Sequence, residues 1–518
     1  MQSYRIPPQL DLAEILTRLG EVFTVSQSGE RPVDELYHDT FDWRLFQAGL
    51  MSWRQGSHFI LAERQGREQA RATVRGRKKK LFWRDFRQDG CREALRPLLK
   101  ERALVPQLVR SGSRRDFNIL NEDQKTVVRL TLWVTTCQRA DQRAVLPSVV
   151  TLVPLTGYRR AAGQVRELLT ALGLGAIDGD GDPVAMIQEA LAIDPNETSS
   201  KFALELAPQE TVARAVQIIC LELRRTMMIN VDGVLADIDP EFLHDLRVAV
   251  RRTRSLLALL KKHLPSEEMA RFRPEFKWLG TVSGPVRDLD VYLQKEQSFR
   301  ALLPGELQDG LDGFFAELKR RRRNELKKLR VHLRSERFTA LIADWQEALR
   351  VLPDMAEYPE GRRLCRTVSE QIVAKRLTRL LRRGGAITPQ TAAKTLHELR
   401  IEGKKFRYLL DFFGSLFDRQ AVDSYLKQMK ELQNVLGDFN DLAVQRRMLL
   451  GRLRQLRPDQ EQDLLTAAAL GGLIGRLFAE QKLVRDRFET TFATFASAEN
   501  VALAEEMLQD PEDKSARQ

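Results

Sequence analysis

Four cysteines in 518 residues, Cys91, Cys137, Cys220 and Cys365, stand far apart with no CxxC spacing. That argues against a zinc site or a disulfide framework and suits a reducing cytoplasm. Long apolar runs are also missing. The opening MQSYRIPPQL lacks the apolar core of a secretory signal. LLTAAALGGLIG (464–475) is too short to cross a bilayer, which takes ~20 residues. A soluble cytoplasmic protein with no membrane partner is expected. The second half carries no Walker loop, HExxH or triad pattern, so no catalytic residue, metal ligand or cofactor is assigned to it.

Acidic charge is in deficit. Lys and Arg number 83 against 71 Asp and Glu, a net charge of +12, which favours polyanionic partners. The apolar fraction of 43% is enough to bury substantial cores, and the length implies two or three domains. Up to about residue 160 the pattern is mostly extended. Val128, Leu130, Leu132 and Val134 alternate with Arg129, Thr131, Trp133 and Thr135, the period of a half-buried strand. Similar segments occur at LMSWRQ, SHFILAERQ and RATVRGR, and GQVRELLTALGL (163–174) reads as a helix. AIDGDGDPV and DPNETSS read as loops, which places a boundary near 195–207. From Glu210 to about 508 the period becomes helical, and QDPEDKSARQ at the end reads as a disordered tail.

Within the helical part the chain repeats itself. LHDLRVAVRRTRSLLALL (243–260) returns as LHELRIEGKKFRYLLDFF (396–413), so that His397 stands 153 positions after His244. FKWLGTVSGPVRDLDV from Phe276 returns at the same offset as MKELQNVLGDFNDLAV from Met429. One offset for two motifs means a duplicated unit. On a helical wheel Leu243, Leu246, Val250 and Leu257 form an apolar stripe beside His244, Arg247, Arg251 and Arg254. The copy sets Leu396, Leu399, Phe406 and Leu410 beside His397, Arg400, Lys404 and Arg407. Lys277 and Lys430 add a matched cation in the second motif. Two such helices related by pseudo-symmetry would line one groove, where arginine forks suit phosphate oxygens. For one helix alone, a solvated cationic face would explain the pattern; the duplication favours an anion site. The histidines could equally orient an arginine or touch the anion. Asp288 and Asp441, one per copy, read as helix caps or arginine partners, being too few for a metal cage. The run Lys319–Arg323 is a further basic tract, or simply an exposed helix face. Asp239-Pro240 and Thr388-Pro389 mark the expected starts of the two His helices.

The paired LH[DE]LR[VI] helices and the segments after them resemble the CHAD family, over roughly residues 207–508. That resemblance implies two pseudo-symmetric four-helix bundles flanking a basic groove that binds inorganic polyphosphate. Carried over by position, the binding residues are His244, Arg247, Arg251, Arg254, Lys277, His397, Arg400, Lys404, Arg407 and Lys430, with Arg224, Arg225, Arg382 and Arg383 as additional candidates.

Residues 1–206 resemble the CYTH or triphosphate-tunnel family through Tyr37-His38-Asp39-Thr40, Leu45, Ala48-Gly49-Leu50, Arg54 and Thr73-Val74-Arg75-Gly76. That family hydrolyses or cyclises triphosphates in a β-barrel with metal on strand carboxylates. Its opening ExExK strand is replaced here by SYRIPPQL, and TVVRLTLW carries no acid. Glu63 is the one acid read on the predicted wall, too few to hold a divalent ion. Arg71, Arg75 and Arg77 remain, followed by Lys78, Lys79 and Lys80. A degenerate barrel is expected, a docking or structural module, with residual anion binding as the alternative. The sequence thus predicts an α+β, multidomain protein: a β-barrel-like domain (1–206), an all-α domain (207–508) and a tail (509–518). Its expected function is non-catalytic polyphosphate binding, with polyphosphate granules as a location. The alternatives are a metal-dependent triphosphatase or cyclase in the first domain, and nucleic-acid binding by the basic surface. Against the last, few aromatics interleave the cations; Phe406 and Tyr408 are the exceptions.

Overall fold

A computed structural model describes residues 2–74, 76, 78–87, 90–177, 182–200, 202–354, 358–457 and 459–508. Arg75, Arg77, part of AIDGDGDPV and the 509–518 tail lie outside the described residues. The chain divides into two compact units, Met1–Ser200 and Lys201–Gln518.

The first unit is built on one antiparallel sheet of ten strands: β1 (Gln2–Arg5), β2 (Thr24–Asp39), β3 (Leu50–Gln55), β4 (His58–Glu63), β5 (Glu68–Thr73), β6 (Val105–Leu120), β7 (Thr126–Arg139), β8 (Gln142–Val145), β9 (Val149–Pro154) and β10 (Gly175–Ile177). The order is β10-β1-β9-β7-β6-β2-β3-β4-β5, with β8 on β7. This path is open from β10 to β5 among the described residues, so the closed barrel expected from sequence is not formed by strand pairing. One face packs Tyr4, Val128, Leu130, Leu132, Val150 and Leu152 against Ile15 and Leu19 of α1 (Leu12–Gly20) and against a second helix. Helix α2 (Gly90–Leu99) covers β4 and β5 through Cys91, Leu95 and Leu99. That second helix is α3 (Arg159–Ala171), which contributes Val165 and Leu169 and ends earlier than the sequence suggested. Gly173, at φ +81°, turns the chain out of it, and Leu174 N–H donates to the Leu169 carbonyl (3.1 Å). Helix α4 (Pro183–Ala190) packs on the other face through Val184, Met186 and Ile187. Its N-cap Asp182 accepts from Ala185 N–H (3.0 Å). The alternation read in β7 holds for Val128, Leu130 and Leu132, whereas Val134 is exposed and Thr135 buried at the far end of the strand.

The second unit is helical. Its principal helices are α5 (Val212–Ala236), α6 (Pro240–Leu259), α7 (Phe272–Val282), α8 (Gly284–Gln294), α9 (Asp312–Leu333), α10 (Glu336–Val351), α11 (Cys365–Gly385), α12 (Ala393–Phe413), α13 (Arg419–Leu453), α14 (Glu461–Phe495) and α15 (Ala498–Leu508). The repeat offset reappears in the helix starts, since α5 and α11, and α6 and α12, begin 153 residues apart. A short antiparallel bridge joins Thr211 to Leu364, which are equivalent positions. Its hydrogen bonds are reciprocal. Val212 N–H donates to the Arg363 carbonyl (3.0 Å) and Cys365 N–H to the Glu210 carbonyl (2.8 Å). Such self-complementary pairing is the mark of a twofold axis, here a pseudo-axis within one chain.

The copies differ in their third helix. The second copy runs unbroken through α13, whereas the first is split at Ser283-Gly284, where α7 ends and α8 begins. Pro285, at the position of Asp438, removes one backbone donor and breaks the helix. Each copy also carries a helix beyond the four expected, α10 in the first and α15 in the second.

Candidate functional site

Helices α6 and α12 carry the repeated His-Arg motif. Asp239 caps α6 by accepting from Glu241 N–H (2.9 Å), and Pro240 fits its first position as the sequence suggested. The second helix departs from that expectation. It starts at Ala393, and Thr388 instead closes a turn by donating its N–H to Thr391 Oγ1 (2.8 Å). The apolar stripes are buried as expected: Leu243, Leu246, Val250 and Leu257 in one helix, and Leu396, Leu399, Phe406 and Leu410 in the other.

The two helices are in contact. Arg252 of α6 donates to Asp411 of α12 (2.8 Å), a contact that crosses from one copy to the other. Beside it the cations of both copies crowd together. Burial, Arg400 of its own helix and Arg251 of the other copy push the Lys404 ammonium down to about 8, against a partial lift from Asp441. The Arg247 guanidinium is also lowered, by burial and by Arg251, Arg287 and Arg254, with Asp288 opposing. Among the described residues Arg247, Arg251, Arg254, Lys277, Lys404 and Lys430 form no ion pair; Arg254, Lys277 and Lys430 are exposed. Acids do reach Arg400 (Asp441, 3.5 Å) and Arg407 (Asp411, 3.9 Å).

Some predicted residues also hold the fold. Arg247 donates to the Gly280 carbonyl (2.7 Å) and to Ser283 Oγ (2.8 Å), at the end of α7 that Pro285 creates. It thus satisfies helix-end acceptors and sits favourably on the dipole. Arg254 lies over Gly280, where a Cβ would come within 3.1 Å of its guanidinium. The equivalent Arg407 donates to Gln433 Oε1 (3.1 Å), Gln433 standing where the first copy has Gly280. His397 Nδ1 is hydrogen-bonded to the Asn440 side chain, an orienting contact. Asp288 and Asp441 turn out to lie beside the arginines of their own copies.

Of the additional candidates, two have partners on the fold. Arg224 donates to the Ile342 carbonyl of α10 (3.4 Å), and Arg225 pairs with Glu222 on its own helix. Arg382 and Arg383 lie in the last turn of α11. In the basic tract, Arg322 is a structural residue gripping Asp237 (2.7 Å) and the buried Asp290 (2.7 Å). Sequence reasoning missed Glu402, a buried acid of α12 held by Arg376 (2.8 Å) and Lys405 (3.2 Å). Its counterpart in the first copy is Ala249, so the repeat gave no signal for it.

Comparison with known proteins adds one decisive match: the family model described as CHAD domain covers residues 219–450, including both His helices. The helical unit contains a CHAD domain. Two uncharacterized proteins from two strains of Mycobacterium tuberculosis are each 25% identical to this chain over 217 residues, 40% of this chain and 39% of the relative's length. The chain therefore spans well under half of those relatives. Among solved structures, the crystal structure of the CHAD domain from the plant Ricinus communis has a TM-score of 0.47 at 28% identity, covering 56% of this chain and 94% of the other. PptA from Streptomyces chartreusis has a TM-score of 0.42 at 16% identity, covering 55% of this chain and 99% of the other.

Within the sheet unit, Tyr37-His38-Asp39-Thr40 ends β2 and anchors the turn after it. Asp39 accepts from the N–H groups of Thr40 (2.6 Å), Leu45 (2.9 Å) and Phe46 (2.9 Å) and so holds the short helix Arg44–Gln47. Arg71 pairs with Glu68 (2.8 Å). One expectation is corrected: Glu63 is not the one acid on the wall, because Glu35 of β2 is buried there against Tyr37 and Arg110. Gly29 and Pro32 punctuate the sequence of β2 and hid its full length of sixteen residues.

Proposed function

We propose that the CHAD domain binds inorganic polyphosphate without chemistry, along the seam where α6 and α12 meet, and that this binding places the protein at polyphosphate-rich granules. The observation that carries the proposal is the crowding of Arg251, Arg400 and Lys404, contributed by both copies, with Asp441 giving Lys404 only a partial lift. Like charges held together in a half-buried seam oppose folding, and a polyanion laid along them relieves the repulsion. A chain of phosphates, with about one charge per unit, matches a row of cations spaced along helices. Counterion release then gives steep salt dependence, by analogy with nucleic acids.

The test is titration of long-chain polyphosphate into wild-type protein and an Arg251→Ala/Lys404→Ala variant at fixed salt. Affinity is expected to fall at least tenfold while the unfolding midpoint stays level or rises. Arg247 is left intact because it also holds the end of α7. Unchanged affinity in the double variant would reject the site, and displacement by DNA at equal charge concentration would favour a general polyanion surface.

A further inference from the structure

The sheet face turned away from α1 and α3 carries a half-open pocket of about 260 Å³ that polyphosphate binding leaves unused. Its walls combine rings and apolar side chains (Trp53, Trp133, Met51 and Met186) with a small polar group. Strand register brings that group together, Glu35 and Arg110 being directly opposed on β2 and β6. Both are buried, at 9% and 6% exposure. Tyr37 OH donates to Glu35 Oε2 (2.8 Å), Arg110 Nη1 lies 3.5 Å from the same oxygen, and Arg110 Nε donates to Thr135 Oγ1 (3.1 Å). The guanidinium stacks on the Trp133 ring at 4.7 Å, and Arg114 approaches that ring at 5.2 Å.

The charges decide what fits. Glu35 offsets Arg110, and Asp116 offsets Arg114 (3.0 Å). A triphosphate would need several uncompensated cations and more than one carboxylate to carry its metal; among the described lining residues both arginines are paired with acids and Glu35 is the one carboxylate. A buried ion pair is costly to desolvate, yet here it borders an aromatic-lined void, where a paired acceptor and donor can read a ligand edge. We propose that the cavity binds a small uncharged planar heterocycle of lactam type. Its ring N–H donates to the Glu35 carboxylate, its carbonyl accepts from Arg110, and a flat face packs on Trp53, since the arginines already cover Trp133. This departs from the triphosphate chemistry that the resemblance of residues 1–206 implies. It is also independent of polyphosphate binding.

The experiment uses the full chain and hypoxanthine, uracil and quinolin-2-one as probes, followed by indole fluorescence and calorimetry. At least one probe is expected to bind saturably, and tripolyphosphate is expected not to displace it. Glu35→Gln should weaken that probe at least tenfold. Trp53→Leu, which leaves the ion pair in place, should weaken it comparably, and both variants should keep the far-ultraviolet spectrum and thermal unfolding midpoint of the wild type as a check on folding. Saturable binding of none of the three probes up to millimolar concentration would overturn the proposal. So would displacement by tripolyphosphate that Arg110→Ala abolishes, which would make the cavity an anion site.

Discussion

Lys404 and Arg322 show how differently two cations of one helical unit are used. Lys404 is held near 8 by burial and by Arg400 and Arg251, below the usual lysine range. Polyphosphate affinity is therefore expected to weaken as pH rises through about 8, and Lys404→Arg should flatten that dependence; titrations between pH 7 and 9 check both. Stability moves the other way. A depressed lysine binds fewer protons folded than unfolded, so its penalty is fully present below about 8 and is relieved as pH climbs towards the ordinary lysine value. Urea unfolding of wild type against Lys404→Met should show wild type gaining on the variant over that window. Arg322 is the opposite case, since Asp237 and Asp290 raise its pKa against the opposing effect of burial. Arg322→Ala leaves Asp290 buried without its partner and is expected to cost about 3 kcal/mol or more of stability. Polyphosphate affinity at low temperature should be unaffected.

Among the elements, β6 and the α7–α8 pair depend on one residue each. Gly112 of β6 has φ +148°, and a Cβ there would come within 2.2 Å of the Val134 carbonyl on β7. Gly112→Ala cannot be accommodated without moving the backbone of one strand. It should lower the unfolding midpoint of the sheet unit by the equivalent of about 3 kcal/mol or more, seen as an earlier transition in the near-ultraviolet signal of Trp133. In the helical unit, Pro285 separates α7 from α8, and Arg247 has moved onto the freed helix end. The repeat motif was legible at this place, whereas the break was not read, because matched side chains hid a change in backbone donors. Asp438 at the equivalent position lets α13 continue as one helix.

For the whole molecule, the prediction concerns salt. If the seam acts as a row of phosphate contacts, a logarithmic plot of affinity against salt concentration should be steep for long-chain polyphosphate. The Arg251→Ala/Lys404→Ala variant should lower its slope by somewhat more than one unit, roughly 0.7 for each lost contact, as for single-stranded nucleic acid. A slope unchanged in that variant would place the polymer elsewhere. None of the described helices is long and apolar enough to cross a membrane, which agrees with the shortness of the apolar runs in the sequence.

What the sequence determined by itself was the duplication, the helical period and the cationic stripes beside the apolar ones. These depend only on residue spacing along a regular helix, and Leu246, Val250, Leu399 and Phe406 are buried accordingly. It also showed that residues 1–206 hold extended strands. Tertiary structure alone decided that α6 and α12 lie together, that Arg224 faces α10, and that Glu35 meets Arg110 across two strands. It also decided that the sheet's pairing runs open from β10 to β5. The reason is physical. Periodicity records which side of an element avoids water, but which acid a cation meets depends on partners far away in the chain, and no local pattern encodes them.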